Sequence, residues 1–304
     1  MTVPDIFDVY AGSLENDSRD NYKSLLKEYT SKLPSYWTFE IVSGFFKQAD
    51  ETTDVLKFNY LENFGRSTTW EELFDQLSTL NEQANENECY KVLFLARHGQ
   101  GYHNVANSKY GQKAWDEKWS MVDTDGEITW GPDPKLTELG INQAIENGKA
   151  WEKQLRNGCE IPTKWFTSPM SRSIDTMVHT WEKIVDLKEK KPLIMEDLRE
   201  TLGVPSDKRS SKKELEKYGF EFHEDFRNED NSHLQEYESI EHHSIRINRA
   251  YQYIFDNYDD QVISITSHSG SIRSQLLVLG HREFAIGTGG MIPVFVKATR
   301  IVRD

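Results

Sequence analysis

Two short apolar runs, each ending in a histidine, constrain the folding of this 304-residue chain more than any other feature. Val92-Leu93-Phe94-Leu95 leads into Ala96-Arg97-His98-Gly99-Gln100. Val262-Ile263-Ser264-Ile265-Thr266 leads into Ser267-His268-Ser269-Gly270. Apolar runs of this length between turn residues read as strands buried on both faces of a parallel sheet. In open α/β sheets, ligands bind at the carboxyl ends of the strands. The chain thus delivers two imidazoles, the first beside a permanent guanidinium cation, to the edge where a ligand sits.

Two further segments add to the set. Phe166-Thr167-Ser168-Pro169-Met170-Ser171-Arg172 ends a short apolar stretch on a second arginine, and Leu198-Arg199-Glu200-Thr201-Leu202-Gly203 supplies a carboxylic acid. Arginine forks match the oxygens of a phosphate. A neutral histidine can attack phosphorus, giving a phosphohistidine that water later cleaves. A second histidine, made cationic by the bound anion, can stabilise the equatorial oxygens. A glutamic acid can protonate the leaving oxygen and then activate water.

The order of these segments resembles the histidine phosphatase superfamily, the phosphoglycerate-mutase-like enzymes, from about Lys91 to the C-terminus. Leu136-Thr137-Glu138-Leu139-Gly140-Ile141-Asn142-Gln143-Ala144 is similar to the Leu-Thr-x-x-Gly-x-x-Gln-Ala helix start of that family. The resemblance implies that His98 is the phospho-acceptor, that Arg97, Asn104, Arg172 and His268 form the phosphate pocket, and that Glu200 is the proton donor. Gln100, Gly101, His103 and Ser269 complete the expected substrate-binding set. Arg-His-Gly-Gln-Gly-Tyr-His-Asn and Thr288-Gly289-Gly290-Met291-Ile292-Pro293-Val294 resemble the fungal phosphomutase-like branch, which implies phosphatase activity on small phosphorylated metabolites, including nucleotide or thiamine phosphates and pyrophosphates. Gln100 stands where mutases usually carry glutamate, and Ser269 where they carry glycine. Both departures count against mutase chemistry more than against hydrolysis. A phosphomutase and a catalytically silent phosphate-ligand sensor are the rival readings.

Composition sets outer limits. The net charge of −14 argues against nucleic acid as a partner. It does not forbid an anionic substrate, because charges beyond about 8 Å are largely screened at physiological ionic strength. No stretch approaches the roughly 20 apolar residues of a membrane span, and Met1–Asp8 lacks the features of a signal peptide. The two cysteines, Cys89 and Cys159, form neither a metal spacing nor a disulfide framework. The expectation is a cytoplasmic protein, with the nucleus also open to it, that needs no metal or cofactor. Oligomeric state is not legible.

The fold expected is α/β: a three-layer sandwich with a mostly parallel central sheet flanked by helices, phosphoglycerate-mutase-like. Residues 1–89 read as an extension packed on the core and residues 90–304 as a histidine phosphatase domain. Periodicity predicts helices from Asn21 to about Leu33, from Thr68 or Thr69 to Leu80, from Thr137 to Asn157 with Ile141, Ala144, Ile145, Gly148, Trp151 and Leu155 inward, from Ser171, from Ser211 to Tyr218, from Leu234 to Phe255 and from Gly270 to Leu279. Strands are predicted at Trp37–Ile41, Val55–Tyr60, Lys164–Thr167, Ile194-Met195, Gln261–Thr266 and Val294–Ile301.

Several residues admit a plainer reading. Arg172 could pair with Asp175 or Glu196 on the surface, and Glu196 and Asp197 are alternative acids to Glu200. His103 with His98 suggests a metal pair, but no carboxylate in that segment completes a zinc set. His242 and His243 read as solvated, and Glu221–Asp230 as an exposed loop or a lid. Gly289-Gly290 reads as a turn. Tyr102, Trp115, Trp119 and Trp130 could stack on a substrate ring or fill the core.

Overall fold

The computed structural model describes residues 3–230 and 237–303. Seven strands form one mixed sheet: β1 (Ser35–Ile41), β2 (Glu88–Arg97), β3 (Lys164–Thr167), β4 (Leu193–Ile194), β5 (Glu221–Phe222), β6 (Val262–Ser267) and β7 (Met291–Val302), in the order β1-β7-β2-β6-β3-β4-β5. The pairings from β2 through β5 are parallel, whereas β7 runs antiparallel to both β1 and β2. The parallel half follows from the helical crossovers between its strands. Among the described residues eleven α-helices surround it: α1 (Ile6–Gly12), α2 (Ser18–Thr30), α3 (Trp70–Gln83), α4 (Tyr102–Tyr110), α5 (Gln112–Glu117), α6 (Glu138–Arg156), α7 (Ser171–Trp181), α8 (Leu187–Lys190), α9 (Lys212–Leu215), α10 (Ile240–Asn257) and α11 (Ser269–Val278).

Successive residues of β2 feed opposite layers, as the period of two requires. Leu93 and Leu95 pack with α2, α10 and α11, while Val92 and Phe94 pack with α3, α6 and α7. That double burial is why the run carries no polar alternation. The second layer is filled mainly by rings: Phe94 meets Trp151 edge-on at 4.6 Å, Trp151 lies 4.6 Å from Trp181, and Trp181 lies 5.6 Å from Trp165. Large rings let a chain of modest apolar content build a dry core.

Local chemistry sets the helix boundaries. Thr69 caps α3 in a reciprocal capping box with Glu72, and Thr137 caps α6 through the Gly140 N–H. The inward face of α6 differs from the predicted stripe. Gly140, Gln143, Ala144, Asn147, Gly148, Trp151 and Gln154 are buried, and Ile141 and Ile145 sit at the margin. The three buried amides find partners far along the chain: Gln143 with Gln100 and Thr288, Asn147 with the Gly289 carbonyl, and Oε1 of Gln154 with the Trp70 indole N–H, while Gln154 Nε2 has none among the described residues.

Residues 55–60 do not form the predicted strand. The Asp54 carboxylate accepts from the Leu56 N–H at 3.1 Å and winds Val55–Lys57 into a 3-10 turn, so a local side-chain bond prevails over a weak alternation. The start predicted for the helix at Leu234 falls outside the described residues. The helix seen there, α10, begins at Ile240 with Ser239 as its cap.

A candidate phosphate site at the strand ends

The carboxyl ends of β2, β6, β3 and β4 lie along one edge of the sheet, and the predicted residues collect there. Parallel pairing of β2 with β6 places Arg97 opposite Ser267. The His98 N–H donates to the Ser267 carbonyl at 3.0 Å, and the His98 carbonyl accepts from Gly289 at 2.8 Å. His98 is therefore pinned on both sides of its backbone, and Gly289-Gly290 belongs to the wall of the site. The loop then turns against α6 so closely that a Cβ on Gly99 would lie 2.3 Å from the Gly140 carbonyl oxygen, and one on Gly140 would lie 2.2 Å from that of Gln100. Only glycine fits at either position.

The His98 ring has a defined orientation. Its Nδ1–H donates to the Gly99 carbonyl at 2.6 Å, which leaves the Nε2 lone pair as the reactive position. The His268 ring stands edge-on with its centroid 5.0 Å away, and the His103 centroid is 5.2 Å away. Ser168 lies 2.7 Å from Nε2 of His268. With its hydroxyl donating there, the His268 proton resides on Nδ1. Burial pushes His98 well below its usual range, helped by Arg172 and Arg97. His103 and His268 are depressed by burial first, then by Arg172. All three rings are neutral in the free protein.

Both arginines are fixed by their terminal nitrogens. Arg97 donates from Nη1 to the Asp8 carboxylate and, at 2.6 Å, to the Ile286 carbonyl. Arg172 donates from Nη2 to Asp207 at 2.8 Å and from Nη1 to the Ser206 carbonyl at 3.1 Å, so its partner is neither Asp175 nor Glu196. Arg172 sits in the first turn of α7, which Asp133 anchors by accepting from the Ser171 N–H at 2.9 Å and its hydroxyl at 2.6 Å. Among the described residues the buried Nε–H of both arginines has no acceptor, and Nδ1 of His103 and of His268 likewise has no partner. Buried polar nitrogens are normally satisfied. Unmatched nitrogens also occur elsewhere, at Arg199 and Arg273 for example, but these four belong to residues that act on one imidazole.

Glu200 lies on the N-terminus of α11. Its carboxylate accepts from the Gly270 N–H at 3.1 Å and the Thr201 N–H at 2.9 Å, and a Cβ on Gly270 would lie 2.2 Å from its Oε1. Its backbone is held by Arg246, which donates to the Glu200 carbonyl at 3.0 Å. His243 is not solvated as predicted. It is buried, 3.2 Å from the Thr201 hydroxyl and 3.1 Å from the Arg199 carbonyl, bracing the segment that carries Glu200. His242 remains at the surface beside Ser239. Glu196 binds Arg199 and Arg209, and Asp197 binds Arg249, so both alternative acids are engaged elsewhere. Asp230 ends the supposedly exposed acidic run but is buried against Arg199 at 2.8 Å and the Arg209 N–H at 2.8 Å.

The remaining predicted residues occupy the rim. Asn104 accepts from the Gly101 N–H at 2.9 Å at the start of α4, Gln100 accepts from the Thr137 hydroxyl at 2.9 Å, and Ser269 opens α11 directly after His268. Of the four aromatics, Trp130 is fully buried, Trp119 stacks on Tyr110 at 4.1 Å, Trp115 lies 6.0 Å from Trp130, and Tyr102 is exposed. Among the described residues, no group of three or more His, Cys, Asp or Glu is arranged to hold a metal ion, and no helix is long and apolar enough to cross a membrane. Asp8, Asp133, Asp207 and Ser168 were not foreseen. Each lies far in sequence from the residue it holds, and although Ser168 falls within the segment leading to Arg172, nothing there points to His268. The site is also tightly covered: His98 is only 2% exposed.

The fold thus gathers a buried imidazole, two further histidines and two arginines at the strand ends. Residues 93–286 match the histidine phosphatase superfamily (branch 1). The chain is 37% identical over 284 residues to a protein of Arthroderma benhamiae named probable phosphoglycerate mutase (86% of this chain, 84% of that one), and 34% identical over 276 residues to phosphomutase-like protein 3 of Candida albicans (88% and 81%). A solved mycobacterial glucosyl-3-phosphoglycerate phosphatase complexed with VO3 aligns at a TM-score of 0.42 and 16% identity, covering 70% of this chain and 97% of that one. The chain belongs to the histidine phosphatase superfamily.

Proposed function

We propose that the protein is a metal-independent phosphatase that hydrolyses small phosphomonoesters through a phosphohistidine at His98. The observation that carries this reading is the set of unmatched buried nitrogens on Arg97, Arg172, His103 and His268 around the His98 ring. In the first step Nε2 of His98 attacks phosphorus in line, the P–O bond to the leaving alcohol breaks, and Glu200 gives that oxygen its proton. In the second, Glu200 takes a proton from water, whose oxygen attacks the phosphohistidine, and orthophosphate leaves. The fixed donors stabilise charge on the transferring oxygens, where positioning and electrostatics provide most of the rate gain. Enclosure strengthens these interactions by excluding bulk water. Residues 1–89 serve as an extension of a phosphatase domain spanning residues 90–304.

A second reading, phosphoglycerate-mutase-type transfer, is favoured by the name of the relative at 37% identity. Gln100 and Ser269 favour hydrolysis. The test is release of inorganic phosphate across a panel of small phosphate esters, nucleotide and thiamine phosphates included, beside conversion of 3- to 2-phosphoglycerate with a bisphosphate primer. Phosphate release in EDTA that disappears in His98→Ala supports the phosphatase. Rapid isomerisation without phosphate release overturns it in favour of the mutase.

A further inference from the structure

We infer that Asp8, from the N-terminal extension, is a positioning residue for the phosphate site. The claim rests on the reading of Arg97 as a phosphate ligand and extends it to a part of the chain outside the matched superfamily region. Helix α1 lies across α11 and the loop before β7, and three separate contacts fasten it there. Arg273 donates to the Ala11 carbonyl at 3.1 Å, the Leu14 N–H donates to Glu283 at 3.0 Å, and a Cβ on Gly12 would lie 3.1 Å from the Ala285 Cα. The Asp8 carboxylate is itself oriented, since its second oxygen accepts from the Asp5 N–H at 3.0 Å.

The division of labour on the guanidinium decides what Asp8 does. Nη1 is occupied by Asp8 and by the Ile286 carbonyl, which account for both of its hydrogens, while the buried Nε–H has no acceptor among the described residues. Asp8 and an incoming phosphate therefore use different donors of Arg97. A carboxylate competing for phosphate would sit on the donor that the phosphate needs. Here it locks the far end of a long, otherwise rotatable side chain. An arginine held in one rotamer loses less freedom when it binds.

The test is calorimetric titration with inorganic phosphate of the full-length wild type and of Asp8→Ala, Asp8→Asn and Arg97→Ala. Asp8→Ala should weaken phosphate binding by about tenfold. Asp8→Asn, whose Oδ1 still accepts from Nη1 although its NH2 gives up the bond from the Asp5 N–H, should stay within about threefold of wild type. Asp8→Ser, a polar side chain too short to reach Arg97, serves in place of Asp8→Ala if that variant does not fold, with the same loss of about tenfold expected. Wild-type affinity in Asp8→Ala or Asp8→Ser, or tighter binding in either, overturns the assignment while leaving the phosphate site intact. Loss of phosphate binding in none of the variants, or in the wild type already, overturns the reading of Arg97 and of the site.

Discussion

The imidazoles of His98 and His268 meet edge to face with their centroids 5.0 Å apart, and burial, helped by Arg172 beside both, favours the neutral form of each. Neutrality is what an attacking nitrogen needs. Because the pKa of His98 is driven well below 6.5, its reactive form persists into acid. The account predicts that kcat/KM stays level on the acid side until well below pH 6.5. An acid limb centred at or above 6.5 in the pH–rate profile would contradict it.

Glu200 and the leaving group form a second test. If Glu200 protonates the departing oxygen, Glu200→Gln should slow hydrolysis of an alkyl phosphate far more than that of a nitrophenyl phosphate, whose anion leaves unaided. A difference of 10-fold or more is the expected scale. Equal slowing of both substrates, measured by steady-state or single-turnover kinetics, would assign the proton to another acid.

The same buried groups make stability depend on pH in opposing directions. Burial depresses His98, His103, His243 and His268. Below pH 6.5 the unfolded chain therefore binds protons that the fold refuses, and stability falls as pH falls. Asp207 behaves in the reverse sense. Burial, opposed by Arg172 and reinforced by Glu200, raises it from 3.8 to about 6. Its contribution is complete below pH 3.8 and is lost as pH rises through 6. Asp207→Asn removes this counterweight. As pH falls below about 6 its stability should drop more steeply than that of wild type, the slopes differing by up to one bound proton. Parallel curves in denaturant titrations would show that Asp207 does not hold a proton in the fold.

The close approach of Gly99 to Gly140 gives a purely steric prediction. A methyl group on Gly99 would meet the Gly140 carbonyl oxygen at 2.3 Å. Gly99→Ala should destabilise by about 1–3 kcal/mol and, by shifting His98, should lower kcat well beyond what that loss explains. Wild-type kcat with unchanged melting would mean that the loop has slack which this geometry denies.

What the sequence made legible was whatever local pattern encodes. The buried run before His98, the caps at Thr69 and Thr137 and the strand ahead of Arg172 all announce themselves within about ten residues. Long-range satisfaction of polar groups does not. Gln143, Asn147 and Gln154 break the apolar stripe of α6 because their partners arrive from the Gly289 loop, from Gln100 and from α3. His243 reads as a surface residue beside His242, yet one step along the helix turns it onto the Glu200 segment. Asp8 and Asp207, which hold the two arginines, lie 89 and 35 residues from them. No spacing rule links such pairs before the fold is known.

The central claim is covalent transfer to His98. Mixing the protein for milliseconds with a turned-over phosphate ester carrying radioactive phosphorus, quenching in alkali and digesting the chain tests it most directly. The account predicts a stoichiometric label that survives base, is released by acid, maps to the peptide containing His98 and is absent from His98→Ala. Full turnover with no trapped label, or a label of equal size in His98→Ala, would contradict it.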